Sequence, residues 1–151
     1  MLAPAAARNR LLRSRDPGPG ETPLSHDSLD RKTGNRALGA DGETHAAAHL
    51  ERRGYTIVAR NVRAGGVEMD IIARRGRVLA FVEVKTRRST RFGAPEEAVD
   101  ARKRARLVRG AVAWLRENPV RNVRARFDVI VCEADASGWR IRHLEAAFDA
   151  S

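Results

Sequence analysis

The chain is poor in cysteine and in aromatic residues: one Cys, one Tyr, two Trp, four Phe, aromatics 5% in all. Each shortage excludes something. A lone thiol, Cys132, rules out an internal disulfide and fits a reducing, cytoplasmic setting. It lies in the apolar run FDVIVCEA with no histidine close in sequence to activate it, so it reads as a buried core residue and not as a nucleophile. The scarcity of rings leaves little for stacking on unpaired bases, since Phe92 alone falls within the basic stretches. No apolar run approaches the length of a bilayer span, and no membrane partner is expected. The apolar stretch Leu2–Ala7 is too short for a secretory signal core, and Arg8 interrupts it.

Acidic residues are also in deficit, with 19 Asp and Glu against 29 Lys and Arg and a net charge of +10. The excess comes almost wholly from arginine. It favours partners rich in phosphate, because each phosphate neutralised releases counterions. Arginine richness can equally follow from genome base composition, and charge alone bears on association rather than fold.

The first 34 residues carry Pro, Gly, Ser and charge with almost no apolar periodicity, which predicts a disordered tail over 1–34 and a domain over 35–151. Within the domain, a helix is predicted from Ala37 to Arg53, capped by Asn35 and stopped at Gly54, with Ala46, Ala47 and Leu50 as its apolar stripe. YTIVARNV reads as a strand closing near Ala64-Gly65-Gly66. Val67–Arg74 and Val78–Thr86 then form a hairpin around Arg75-Gly76-Arg77. A basic loop from Arg87 to Gly93 leads to a second helix. Pro95 is expected in its first turn, Glu96 and Glu97 complement the dipole, and Asn118-Pro119 ends it. A strand over Val123–Glu133, a turn over Asp135–Gly138, an edge strand over Trp139–His143 and a short C-terminal helical segment complete the chain. The order α-β-β-β-α-β-β implies an α/β fold, a mixed sheet flanked by helices.

The hairpin concentrates the chemistry. Strand alternation places Glu68 with Asp70, and Glu83 with Lys85, each pair on one face. Phe81, Val82 and Val84 make the second strand apolar enough to be central, where charged side chains need partners. A solvated face with weak cross-strand ion pairs is the plainer reading. The alternative is a site in which carboxylates hold a hard divalent cation, such as Mg2+ or Mn2+, beside a lysine that stabilises charge growing on a phosphoryl group. Glu43, just after Gly39 and Gly42, is either a further acid brought close by small residues or a first-turn glutamate favouring the helix dipole. His45 and His49 stand one helical turn apart, but no third zinc ligand has a suitable spacing. Arg87, Arg88 and Arg91 after the hairpin, and Arg102, Lys103, Arg104 and Arg106 on the second helix, suit phosphate contacts as well as simple solvation.

GADGETHAA, RRGYTIVARNVR, EMDIIAR, FVEVKTR, GAPEEAVDARKRARL and RFDVI, in that order from about Arg36 onward, resemble the YraN-like family of uncharacterised bacterial proteins. That family is similar to the restriction-endonuclease-like, or PD-(D/E)xK, superfamily, which includes Holliday-junction resolvases and type II restriction enzymes. The resemblance implies that Asp70 and Glu83 are metal-binding acids, Lys85 the catalytic lysine, Glu43 an extra acid from the first helix and Glu68 the family's other strand acid. Val67 stands where the family usually has glycine, Val62 where it often has an aromatic residue, and Met69 where the superfamily has proline. The resemblance implies a magnesium-dependent nuclease acting on DNA, with structured or branched substrates in view. A non-catalytic nucleic-acid-binding protein on a nuclease scaffold is the alternative. Resolvases act as symmetric pairs, which makes a homodimer part of the same expectation.

Overall fold

The first helix, α1, spans His26–Arg52 and ends as the chain reaches Gly54, whose φ of 85° is left-handed and resists any side chain. The structure, a computed structural model, describes residues 26–88 and 99–150. Most of the expected tail therefore lies outside the described residues, while its last part, from His26, is helical. The helix starts well upstream of Ala37, and Asn35 lies inside it instead of capping it. Once a turn has nucleated, each added residue gains a hydrogen bond, so a well-packed alanine-rich segment can carry helix into less favourable sequence. Ala46, Ala47 and Leu50 form the buried stripe that the spacing predicts.

Five strands follow: β1 (Thr56–Ala64), β2 (Val67–Arg75), β3 (Val78–Arg88), β4 (Arg124–Asp135) and β5 (Gly138–Phe148). They form one mixed sheet in the order β1-β2-β3-β4-β5, antiparallel except for the parallel β3–β4 pair. β3 is thus the central strand, as its apolar sequence predicts. Parallel neighbours need a crossover, and α2 (Ala101–Glu117) supplies it.

α2 begins later than its sequence suggests. Its N-cap is Asp100, whose Oδ1 accepts the Lys103 N–H at 2.8 Å. An aspartate satisfying an orphan N–H is among the strongest helix starts available. Pro95, Glu96 and Glu97 lie outside the described residues, and Asn118 closes the helix as expected. The C-terminal helical segment is corrected to strand: β5 continues through LEAAF to Phe148, which stacks on Phe127 at 4.9 Å. Aromatic burial and pairing to β4 override the helix propensity of these residues.

The sheet separates two cores. Between α2 and the sheet pack Met69, Ile72, Phe81 and Phe127 with Leu107 and Trp114 of the helix; between α1 and the sheet pack Tyr55, Ile71, Val82, Ile130 and Cys132 with Leu50 of the helix. Each large apolar side chain removed from water contributes roughly 1.5–3 kcal/mol. Among the described residues no helix is long and apolar enough to cross a membrane.

Candidate active site

The β2–β3 ladder ends at Ile71–Val82, one step short of the position where Asp70 would face Glu83. Beyond it the strands part, while β3 stays paired with β4 out to Arg88. The freed Val84 N–H donates to Asp70 Oδ2 at 2.8 Å. A side-chain carboxylate thus takes the place of the missing strand carbonyl and anchors Asp70 in the fork.

Simple alternation fails here, for a local reason. In β2, Val67 and Met69 join the core under α2, whereas Ile71 joins the core under α1 and Ile72 returns to that under α2. The phase changes at Asp70. Its nominal partner on β1, Asn61, has a φ of 49°, an uncommon conformation for a residue with a side chain. Such an irregularity re-aims side chains in the manner of a β-bulge. Glu68 and Asp70 consequently do not form the shared acidic face expected of them: Glu68 is exposed, across the ladder from Arg63. The charges acting on Asp70 are instead those of Glu83, Glu43 and Lys103.

On β3 the alternation holds. Leu79 and Phe81 enter the core under α2, and Glu83 and Lys85 continue on that side. Glu83 is 8% exposed and is ion-paired through Oε1 with Lys103 Nζ from the first turn of α2. Lys85 is half-buried and has no ion-pair partner among the described residues. Gly42 brings Glu43 near: it is buried against Thr86, and the Cys132 thiol lies 3.4 Å from its carbonyl oxygen. Among the described residues nothing lies within 4 Å of a Cβ built at Gly39, so of the two glycines Gly42 makes the close approach.

Electrostatically the fork is under-compensated. Burial first, and then the neighbouring Glu83 and Glu43, push the Asp70 carboxyl up to about 7, against the Val84 hydrogen bond and the Lys103 charge. An aspartate whose ionisation is opposed by burial and by neighbouring acids marks a site with room for more positive charge. Among the described residues no three of His, Cys, Asp and Glu converge tightly enough to form a complete metal cage. A hard cation that keeps several waters needs fewer protein ligands than that. The unshared oxygens of Asp70 and Glu83, with Glu43 alongside, fit such an ion.

Glu83 and Lys85 open onto a groove of about 860 Å³ bounded also by Arg87, Lys103 and Arg104, with Val129, Val131 and Phe148 among its apolar wall. Asp70 and Glu43 sit outside this wall. The basic residues expected to grip phosphate divide. Arg87 is engaged with Glu133 at 2.8 Å, Lys103 with Glu83, and Arg104 donates to the Val99 carbonyl at 2.7 Å. Arg88, Arg102 and Arg106 are exposed, and Arg91 lies outside the described residues.

A second charged cluster lies on the face covered by α1. Asp128, fully buried, accepts both Nε and Nη2 of Arg126 at 2.8 Å and the Ala146 N–H at 3.0 Å, and its Oδ2 is 2.8 Å from His143 Nε2. Arg126 Nη2 also donates to the Tyr55 hydroxyl at 2.6 Å. Burial alone would raise the Asp128 carboxyl, but the His143, Arg126 and Ala146 hydrogen bonds more than offset it and hold it below the usual range. Sequence reasoning missed this cluster. An aspartate inside the apolar run RFDVI was the available sign, because an unpaired buried charge is too costly to keep. The His45 ring lies tilted against Trp139 with centroids 4.6 Å apart, and among the described residues no third ligand joins His45 and His49. Cys132 is buried in the core as expected, and burial pushes its thiol up to about 11.

Comparison with known proteins places these residues in context. Residues 42–132 match the sequence model of the uncharacterised protein family UPF0102. A UPF0102 protein of Trichlorobacter lovleyi is 48% identical over 118 residues, covering 77% of this chain and 93% of that protein. One from Geobacter sulfurreducens is 47% identical over 118 residues, covering 76% and 91%. One from Bacteroides thetaiotaomicron is 45% identical over 111 residues, covering 74% and 91%.

Proposed function

The chain belongs to the uncharacterised protein family UPF0102, and from the chemistry of its fork we propose that it is a metal-dependent nuclease that hydrolyses phosphodiester bonds of DNA, with structured or branched DNA as the favoured substrate. One observation carries the reading: half-buried Asp70 lies close enough to buried Glu83 for the Glu83 charge to oppose its ionisation, with Lys85 on the Glu83 side at the edge of a basic groove. Asp70 and Glu83 would hold a Mg2+ or Mn2+ ion, with Glu43 nearby, and such an ion supplies Lewis acidity at a phosphoryl group. Lys85, free of other ion pairs among the described residues, stabilises the negative charge that grows on the phosphoryl oxygens. Arg88, Arg102 and Arg106, exposed and basic, contribute backbone contacts that position DNA without reading its sequence.

The test is cleavage of branched, single-stranded and duplex DNA by purified protein, with and without Mg2+ or Mn2+. Wild type is expected to cut at least one of these only with the ion present, and a Glu83→Ala, Lys85→Ala double variant to lose that activity. Equal residual cleavage by both proteins would sink the assignment. The Lys103–Glu83 ion pair favours a second reading, a binding protein whose acid site is neutralised internally. DNA binding indifferent to EDTA, with no cleavage under any condition, would select it.

A further inference from the structure

Lys103 has two features that the proposed chemistry does not use. Its backbone is fixed, since its N–H is bound by the Asp100 cap in the first turn of α2. Its side chain is 45% exposed, yet its ammonium reaches inward to a carboxylate whose side chain is only 9% exposed. The other basic residues around the groove differ. Arg87 is tied to Glu133, Arg104 to a backbone carbonyl and the Phe148 ring, and Lys85 has no ion pair among the described residues. Lys103 is therefore the cation that neutralises Glu83, and it also borders the groove in which a phosphate would lie.

Lys103 holds Glu83 Oε1, and a metal ion on the other oxygen of that carboxylate would sit beside the ammonium, so the two cations disfavour each other. A flexible, half-solvated lysine is suited to leave, because its head is already partly hydrated and its stem has several rotatable bonds. Any groove phosphate within its reach competes with Glu83 for the same ammonium. Resting on the nuclease reading above, we propose that Lys103 is an exchangeable counter-ion: it holds Glu83 in the metal-free protein and transfers to a DNA phosphate, so that DNA binding and metal loading reinforce each other. The coupling is reciprocal by thermodynamic necessity: if DNA raises metal affinity by some factor, metal raises DNA affinity by the same factor. The arrangement keeps Glu83 paired while no substrate is present.

The experiment is calorimetric titration of Mn2+ into full-length protein, with and without a saturating, non-hydrolysable DNA junction, subtracting the heat of the DNA alone. Wild type is expected to bind Mn2+ at least about fivefold more tightly with DNA, within the usual range for coupled sites. Lys103→Met is expected to bind Mn2+ more tightly than wild type without DNA and to gain less than about twofold on adding it. Lys103→Arg, which can still pair with Glu83, should retain the DNA dependence, and circular dichroism melts of both variants establish that they are folded. If Mn2+ binds but Lys103→Met matches wild type in both titrations, the counter-ion role is overturned and the nuclease reading stands. If no variant binds Mn2+ with or without DNA, the nuclease reading falls and takes this inference with it.

Discussion

Gly42 of α1 and Thr86 of β3 touch directly, and a Cβ on the glycine would come within 2.9 Å of the threonine Cβ and 2.7 Å of its Cγ2. Helix and central strand meet at this pair with no space between them, and Glu43 owes its place near Asp70 to the contact. Glycine inside a helix ordinarily costs roughly 0.5–1 kcal/mol relative to alanine. At position 42 the sign reverses. Gly42→Ala should destabilise the protein by about 1–3 kcal/mol, the usual cost of overpacking. Gly39→Ala, with nothing nearby, should stabilise it by roughly 0.5–1 kcal/mol. Urea unfolding of the two variants reads both signs.

Asp70 makes the metal-free protein less stable as pH rises. Its carboxyl, raised from 3.8 to about 7, keeps in the folded protein a proton that the unfolded chain gives up. The resulting penalty is absent below about pH 4, grows towards pH 7 and is complete above it. Relative to Asp70→Asn, wild type should lose stability between pH 5 and pH 8 in EDTA, as urea unfolding at the two pH values will show. A divalent ion must displace the same proton, so its binding should weaken progressively below pH 7.

His49 acts in the opposite direction. Burial, then the charges of Arg53, His143 and Arg52, hold its imidazole below the usual 6.5, and its Nε2 is buried without a hydrogen-bond partner among the described residues. The unfolded chain takes up this proton first, so stability present above pH 6.5 is lost as pH falls through the lower folded value. His49→Leu should flatten that decline, measured as unfolding free energy at pH 7.5 and pH 5. A slope unchanged from wild type would show that other groups carry it.

Asp128 is a fully buried charge, and its removal is costly. Asp128→Ala leaves the Arg126 guanidinium, 11% exposed, with only Tyr55 and Glu145, and deprives the His143 ring, 3% exposed, and the Ala146 N–H of their acceptor. A loss of about 3–5 kcal/mol is expected, as for other broken buried pairs. Because the cluster lies under α1 on the far face from Lys103, the folded fraction should keep its Mn2+ affinity. Denaturant midpoints and calorimetry on one preparation separate the two effects.

The order of elements along the chain, the β2–β3 hairpin, the central place of β3 and the shared face of Glu83 and Lys85 were legible because short apolar runs with turn residues between them leave few arrangements. The fork was not. The left-handed turn at Asn61 carries no glycine to announce it, and the change of phase at Asp70 depends on two strands meeting. The Asp128–His143 contact was hidden because β4–β5 register, with Ile130 opposite His143, decides it. Pro95-Glu96-Glu97 is as good a helix start on paper as Asp100, and only the capping hydrogen bond to Lys103 distinguishes them.

That cap has a consequence for the chain as a whole. A helix turns by about 100° per residue, so the number of residues from Asp100 to Lys103 determines which way the ammonium points. One residue inserted between them would swing the lysine away from Glu83 while leaving the crossover itself intact. The short step from cap to cation is therefore far less tolerant of insertion than an exposed loop would be.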